Sequence, residues 1–256
     1  STISIAVGAG AAGAINMWYD RDMDAQMQRT IHRPLPAGRL KPIEALSTGV
    51  ILSIASVTAL AMWANYLSAI LLMVTILYYV IIYTIWLKRR TPQNVVIGGV
   101  SGALPPVIGW TVVTGSIDFG AVFLFLVIFL WTPPHSWALA ILRQDDYAAA
   151  SVPMLPVTSG RRGTALQIGI YSFLLVPTTL SPLLFGFSGW LYAIVSVLLG
   201  VGFLLNSWRL IHALLEPVTK NQDSNRARVL FVYSIRYLFL IFLALIVDRI
   251  ILIPLM

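Results

Sequence analysis

Apolar residues fall into eight long runs, at roughly 2–16, 43–65, 67–87, 94–114, 119–142, 165–187, 190–213 and 229–254. Most approach the ~20 residues that a helix needs to cross the hydrocarbon core of a bilayer. The first run is short and begins without a charged flank ("STISIAVGAGAAGAIN", 1–16), which leads us to expect that the chain lacks its first membrane helix. No cleavable signal-peptide pattern is visible. Three links are very short: around Asn65-Tyr66, at "GSID" (115–118) and at "FSGW" (187–190). The other four are longer and polar. The pattern predicts an all-α polytopic bundle of eight transmembrane helices, forming a single domain over residues 1–256.

Composition agrees with that pattern. The chain is 58% hydrophobic and 11% charged, against about 25% charged in soluble domains. Mean hydropathy is +0.84. There is no cysteine, so neither a disulfide framework nor a thiolate metal site is available. The net charge of +7 could indicate nucleic acid, but the basic residues are placed otherwise. Fourteen of the 17 Lys and Arg lie in the four long links: Arg21 to Lys41, Lys88 to Arg90, Arg143 to Arg162, and Lys220 to Arg228. Alternate threading puts those four links on one side of the membrane, and the positive-inside rule makes that side cytoplasmic. A bacterial inner membrane is expected, with a mitochondrial inner membrane as the alternative. Arg236 lies within the last run and needs a partner or a path to water.

Two Pro-Pro pairs interrupt apolar runs, in "GALPPVIGW" (102–110) and "WTPPHSWALA" (131–140). Proline removes a helical hydrogen bond and kinks the chain. Irregular backbone at membrane depth survives only inside protein or along a cavity. Helices 94–114 and 119–142 are therefore expected to kink and to face an internal cavity, with Trp110, Trp131 and Trp137 as candidate lining.

The polar link "NMWYDRDMDAQMQRT" (16–30) carries the first candidate chemistry. Asn16, Asp20 and Asp24 recur every four residues and form one helical stripe, with Asp22 pointing the other way. Hard oxygens on one stripe suit Mg²⁺ shared with phosphate oxygens. The alternative is a solvated helix end with its acids paired to Arg21 and Arg29. "YTIWLKRRTPQN" (83–94) brings Lys88, Arg89 and Arg90 to the same side, either as an orientation anchor or as anion ligands. "LRQDDYAAASVPMLP" (142–156) adds Asp145 and Asp146. Acidic residues play no part in the orientation rule. Two acidic sites and a basic cluster on one face can hold a diphosphate between Mg²⁺ and Lys or Arg.

These stretches, with "SGALPPVIGW", "PPHSWALAILRQDDY" and "ARVLFVYSIRYLFLIFLALIVD", resemble the UbiA-type intramembrane prenyltransferases, most closely their protohaem IX farnesyltransferase branch. The resemblance spans almost the whole chain. It implies a bundle, usually of nine helices, around a cavity open to the cytoplasm and to lipid. It implies Mg²⁺-dependent transfer of farnesyl from farnesyl diphosphate to a vinyl group of haem b. Asn16, Asp20 and Asp24 match the first metal-diphosphate motif, and Asp146 matches the aspartate of the second. Asp145 is the weaker candidate. Ala149 and Ala150 stand where related branches carry a further acid. Lys88 and Arg89 match the basic pair on the diphosphate, with Arg29 and Arg33 joining them. A haem A synthase or a terminal-oxidase assembly would be the protein partner downstream.

His135 follows a Pro-Pro pair about 10 Å below the basic surface, counting back along a helix from residue 142. It is either a packing residue bonded across helices or a contact to haem, axial to iron. Two other functions stay open on the residues: a quinone-ring or other aromatic acceptor for the prenyl group, and a membrane transporter, whose sites also use broken helices.

Overall fold

A computed structural model describes residues 1–216 and 220–251; the end of the last apolar run, 252–254, lies outside the described residues. Eleven α-helices and one π-helical segment make up these residues. They are α1 (Thr2–Tyr19), α2 (Arg21–Asp24), α3 (Pro42–Trp63) and α4 (Tyr66–Leu77). The π segment (Tyr78–Leu87) and α5 (Asn94–Thr114) come next, then α6 (Phe119–Leu142), α7 (Gln144–Ala149) and α8 (Leu155–Thr158). The chain ends with α9 (Gly160–Leu184), α10 (Trp190–Leu215) and α11 (Lys220–Ile251). Seven of the eight expected runs are long and apolar enough to cross a membrane. The other becomes α1, an 18-residue helix diluted by three glycines and Asn16.

Apolarity marks the bilayer, not the helix, so the observed helices overrun the expected ends. α9 begins five residues before its apolar run, and α11 starts through polar turns at Lys220. The short α7 and α8 lie in a link read as merely polar, and α2 lies in the stretch read as a helical stripe. Both proline pairs run inside continuous helices, α5 and α6. Proline therefore ends neither helix. Membrane helices tolerate proline where neighbouring groups satisfy the freed carbonyls.

The residues group into two compact units: 1–125 with 145–154, and 126–144 with Leu155 onward. In the first unit α1 crosses α3 closely. A side chain at Gly49 would meet Ile15 at 2.6 Å and the Ala11 carbonyl at 3.0 Å. Small residues thus let two backbones approach, as is common between membrane helices. Asn65 fixes the start of α4: its Oδ1 accepts the Ser68 N–H (2.8 Å), and its Nδ2 donates to the Thr111 carbonyl on α5 (2.8 Å).

In the second unit α9, α10 and α11 pack together. α10 is held at both ends by charges from its neighbours. Asp248 accepts the N–H groups of Gly189 (2.6 Å) and Tyr192 (3.0 Å) at the helix start. Arg161 donates to the carbonyls of Ala213, Leu214 and Glu216 at its end. These are the orphan groups of a helix, and the signs match its dipole.

The orientation expected from the charge pattern is open to a direct check. In the cysteine-free chain, Ser116→Cys in intact cells is expected to react with a membrane-impermeant thiol reagent, and Arg90→Cys is expected to stay protected. The reverse labelling would invert the topology.

Candidate active site

The Asp-rich link stays helical where it matters. Between α1 and α2, Asp20 leaves helical geometry (φ −89°, ψ 9°). Yet Asp20 N–H still bonds the Asn16 carbonyl (2.9 Å), and Asp24 N–H bonds the Asp20 carbonyl (2.8 Å). The four-residue period therefore survives the break, and the stripe is real. Asn16, Asp20 and Asp24 are 7%, 0% and 3% exposed, whereas the Asp22 side chain is 60% exposed.

Buried carboxylates need partners, and the π segment and the link after α2 supply them. A π turn is wider than an α turn and is often found at functional sites. Here it carries Thr84 and delivers Lys88 at its end. Lys88 Nζ pairs with Asp20 Oδ2. Asn16 Nδ2 donates to the same oxygen (2.9 Å) and to Thr84 Oγ1 (3.0 Å). Asp24 Oδ2 accepts from Arg33 (2.8 Å). The reading of a solvated helix end paired to Arg21 and Arg29 is wrong: the acids are buried, and Arg21 donates to the Trp18 carbonyl instead.

Arg89 differs from Lys88. It grips Asp22 with two bonds (2.8 and 2.6 Å) and reaches Asp20 only at 3.4 Å. Those hydrogen bonds hold the Asp22 carboxyl down at about 2, and the same contact pushes Arg89 above its ordinary value. Asp22 therefore serves as the Arg89 anchor.

A polar cavity of about 220 Å³ opens beside this network, lined by Asn16, Asp24, Arg29, Arg33, Lys88 and Asn94 among others. Arg29 has no carboxylate partner among the described residues. Tyr79 and Tyr83 of the π segment and Tyr147 of α7 add hydroxyl-bearing walls. From the second acidic motif the cavity thus takes Tyr147, not Asp145 or Asp146; Asp146 is half-buried on α7. Sequence reasoning missed Asn94. It is 1% exposed, its Nδ2 donates to the Lys88 carbonyl (3.3 Å), and its Oδ1 has no hydrogen-bond partner.

No group of three His, Cys, Asp or Glu side chains is gathered for a metal among the described residues. The available donors are instead two carboxylates and two amide oxygens, of Asn16 and Asn94. An all-oxygen set that leaves positions for phosphate and water fits Mg²⁺ better than it fits zinc or copper.

His135 lies in the second unit on α6. It stacks between Trp131 (4.2 Å between centroids) and Phe231 (4.7 Å) and bonds Ser234. Of the three expected lining tryptophans, Trp131 lines a groove in this unit. Trp137 is fully buried against Tyr171, and Trp110 packs over Gly120.

Residues 1–235 match the model of the UbiA prenyltransferase family. The chain is 49% identical over 249 residues to protoheme IX farnesyltransferase 2 of Mesorhizobium japonicum, covering 97% of this chain and 78% of the relative. It is 52% identical over 250 residues to the protoheme IX farnesyltransferase of Parvibaculum lavamentivorans, covering 96% and 76%. Its fold is similar to that of a UbiA homologue from Archaeoglobus fulgidus bound to DMAPP and Mg²⁺, with a TM-score of 0.64, 15% identity, and 94% and 86% of the two chains covered. A buried acid stripe paired with Lys88 and Arg33 beside a polar cavity, and a family model matched over most of the length, agree: the chain belongs to the UbiA prenyltransferase family.

Proposed function

We propose that the protein joins farnesyl diphosphate, haem b and water to give haem O and diphosphate. Two facts support the reading: relatives about 50% identical are protoheme IX farnesyltransferases, and one cavity is lined by the buried acid Asp24 together with Arg29, Arg33 and Lys88. Asn16, Asp20 and Asp24 would hold Mg²⁺, with Asn94 Oδ1 as a further oxygen; Asp146, whose neighbour Tyr147 lines the cavity in its place, is the outlying member of the expected set. Bound there, Mg²⁺ neutralises the diphosphate and makes it a better leaving group.

The protein's own cations do the rest of the electrostatic work. Lys88, Arg29 and Arg33 present N–H donors to diphosphate oxygens, whose charge grows as the farnesyl C1–O bond breaks. Arg89 acts behind them, steadying Asp20 and Asp22. Apolar surroundings delay capture of the allylic cation by water. A haem vinyl group then attacks C1, and water adds to the resulting cation, losing a proton, to complete the hydroxyfarnesyl chain. The membrane is the bacterial inner membrane, with the diphosphate site on its cytoplasmic side.

The test is incubation of purified protein with haem b, farnesyl diphosphate and Mg²⁺. Diphosphate release and a porphyrin heavier by farnesyl plus hydroxyl are expected. Unchanged haem, together with prenylation of a quinone-ring acceptor, would overturn the assignment of the acceptor.

A further inference from the structure

One apolar groove in the second unit contains a single imidazole. Ile128, Trp131 and His135 of α6 line it, with Phe231, Ile235 and Phe239 of α11, around a volume of about 560 Å³. The ring of His135 is covered on both faces, by Trp131 and by Phe231, at tilts of only 19° and 24°. Only its edges are left to interact.

Ser234 decides what those edges carry. It is fully buried on α11. Its hydroxyl donates to the Phe231 carbonyl one turn back (2.7 Å). With its one proton used there, the Ser234 oxygen is an acceptor towards His135 Nδ1, 2.7 Å away. The proton of an uncharged imidazole therefore sits on Nδ1, and Nε2 keeps its lone pair. Trp131 is tied to the same residue, since its Nε1 donates to the Ser234 carbonyl (2.7 Å). Nε2 itself has no partner among the described residues. An acceptor left bare in apolar surroundings is unfavourable, so the groove suits an occupant that satisfies it.

A lipid tail offers nothing to a nitrogen lone pair. A planar metalloporphyrin offers a metal to Nε2 and an apolar body to the walls. Resting on the haem reading of the acceptor, we infer that His135 Nε2 ligates the haem iron and that Ser234 is the positioning residue that sets its tautomer. A donor to the distal ring nitrogen is the usual outer partner of a metal-bound histidine.

The test is optical titration of the detergent-purified protein with ferric haem and, separately, with metal-free protoporphyrin. The wild type is expected to show the spectrum of an imidazole-ligated haem. His135→Ala should lose that spectrum and regain it with added imidazole. Ser234→Ala should weaken haem binding about tenfold and leave metal-free porphyrin unaffected, while Ser234→Thr, which keeps the hydroxyl, should restore it. Equal weakening of both porphyrins in Ser234→Ala would make the serine a packing residue and overturn its role. A wild-type spectrum without imidazole character would overturn the ligation, whether or not farnesyl transfer is observed. An imidazole-type spectrum without farnesyl transfer would leave the ligation standing and defeat the proposed reaction instead.

Discussion

Asp20→Asn and Asp24→Asn are each expected to lower farnesyl transfer about a hundred- to a thousandfold. Asp22→Asn is expected to stay within a few-fold of the parent. The three acids lie within five residues of one another, so local charge alone cannot separate them. Burial and direction do: Asp20 and Asp24 are almost inaccessible, and Asp24 lines the polar cavity. Loss of ~3–4 kcal/mol of electrostatic stabilisation at a phosphoryl leaving group corresponds to that range of rate. Asparagine is the proper replacement. Its amide oxygen still accepts from the half-buried Lys88, whereas alanine would leave the ammonium with neither charge nor acceptor, and losing one member of a buried pair outright costs about 3–5 kcal/mol of stability. Asp22 instead makes an exposed pair with Arg89, and such pairs are worth about 0–1 kcal/mol. The measurement is initial rate of diphosphate release at saturating farnesyl diphosphate, with thermal stability recorded alongside. Similar losses in all three variants would remove the directional argument.

Gly98→Ala is expected to destabilise the protein by about 1–3 kcal/mol, the usual range for overpacking a tight interior. A methyl group there would collide with the ring of Tyr83, one of whose atoms lies at 2.9 Å and another at 3.0 Å. Gly98 belongs to α5 and Tyr83 to the π segment that carries Lys88. The clash should therefore reach the site as well, by moving the turn that positions Lys88 and Thr84. The second substitution that tests this is Tyr83→Leu, which withdraws the ring. Gly98→Ala/Tyr83→Leu should recover stability relative to Gly98→Ala alone, since contacting residues couple. Additive losses in thermal unfolding would show that the two do not share the space.

The family reading also settles one open alternative: a UbiA prenyltransferase is an enzyme, so the transporter reading falls. The proline pairs that prompted it sit in continuous helices.

The amino-acid sequence alone determined the membrane class, because ~20 apolar residues in a row can satisfy their backbone only as a helix in lipid. It determined the Asn16–Asp20–Asp24 stripe too, because positions four apart share a helical face without help from anything distant. Tertiary structure decided which cation meets which acid. Lys88 reaches Asp20 across 68 residues, and the nearer Arg21 turns away to Trp18. Asn94 and the π segment were illegible for the same reason, since neither has a local signature and both take their meaning from what lies opposite. So was the partner of the His135 ring nitrogen, a hydroxyl 99 residues further along the chain. Periodicity along the chain encodes which face a side chain takes; the partner on that face depends on contacts between segments far apart in sequence, and those exist only once the helices have packed.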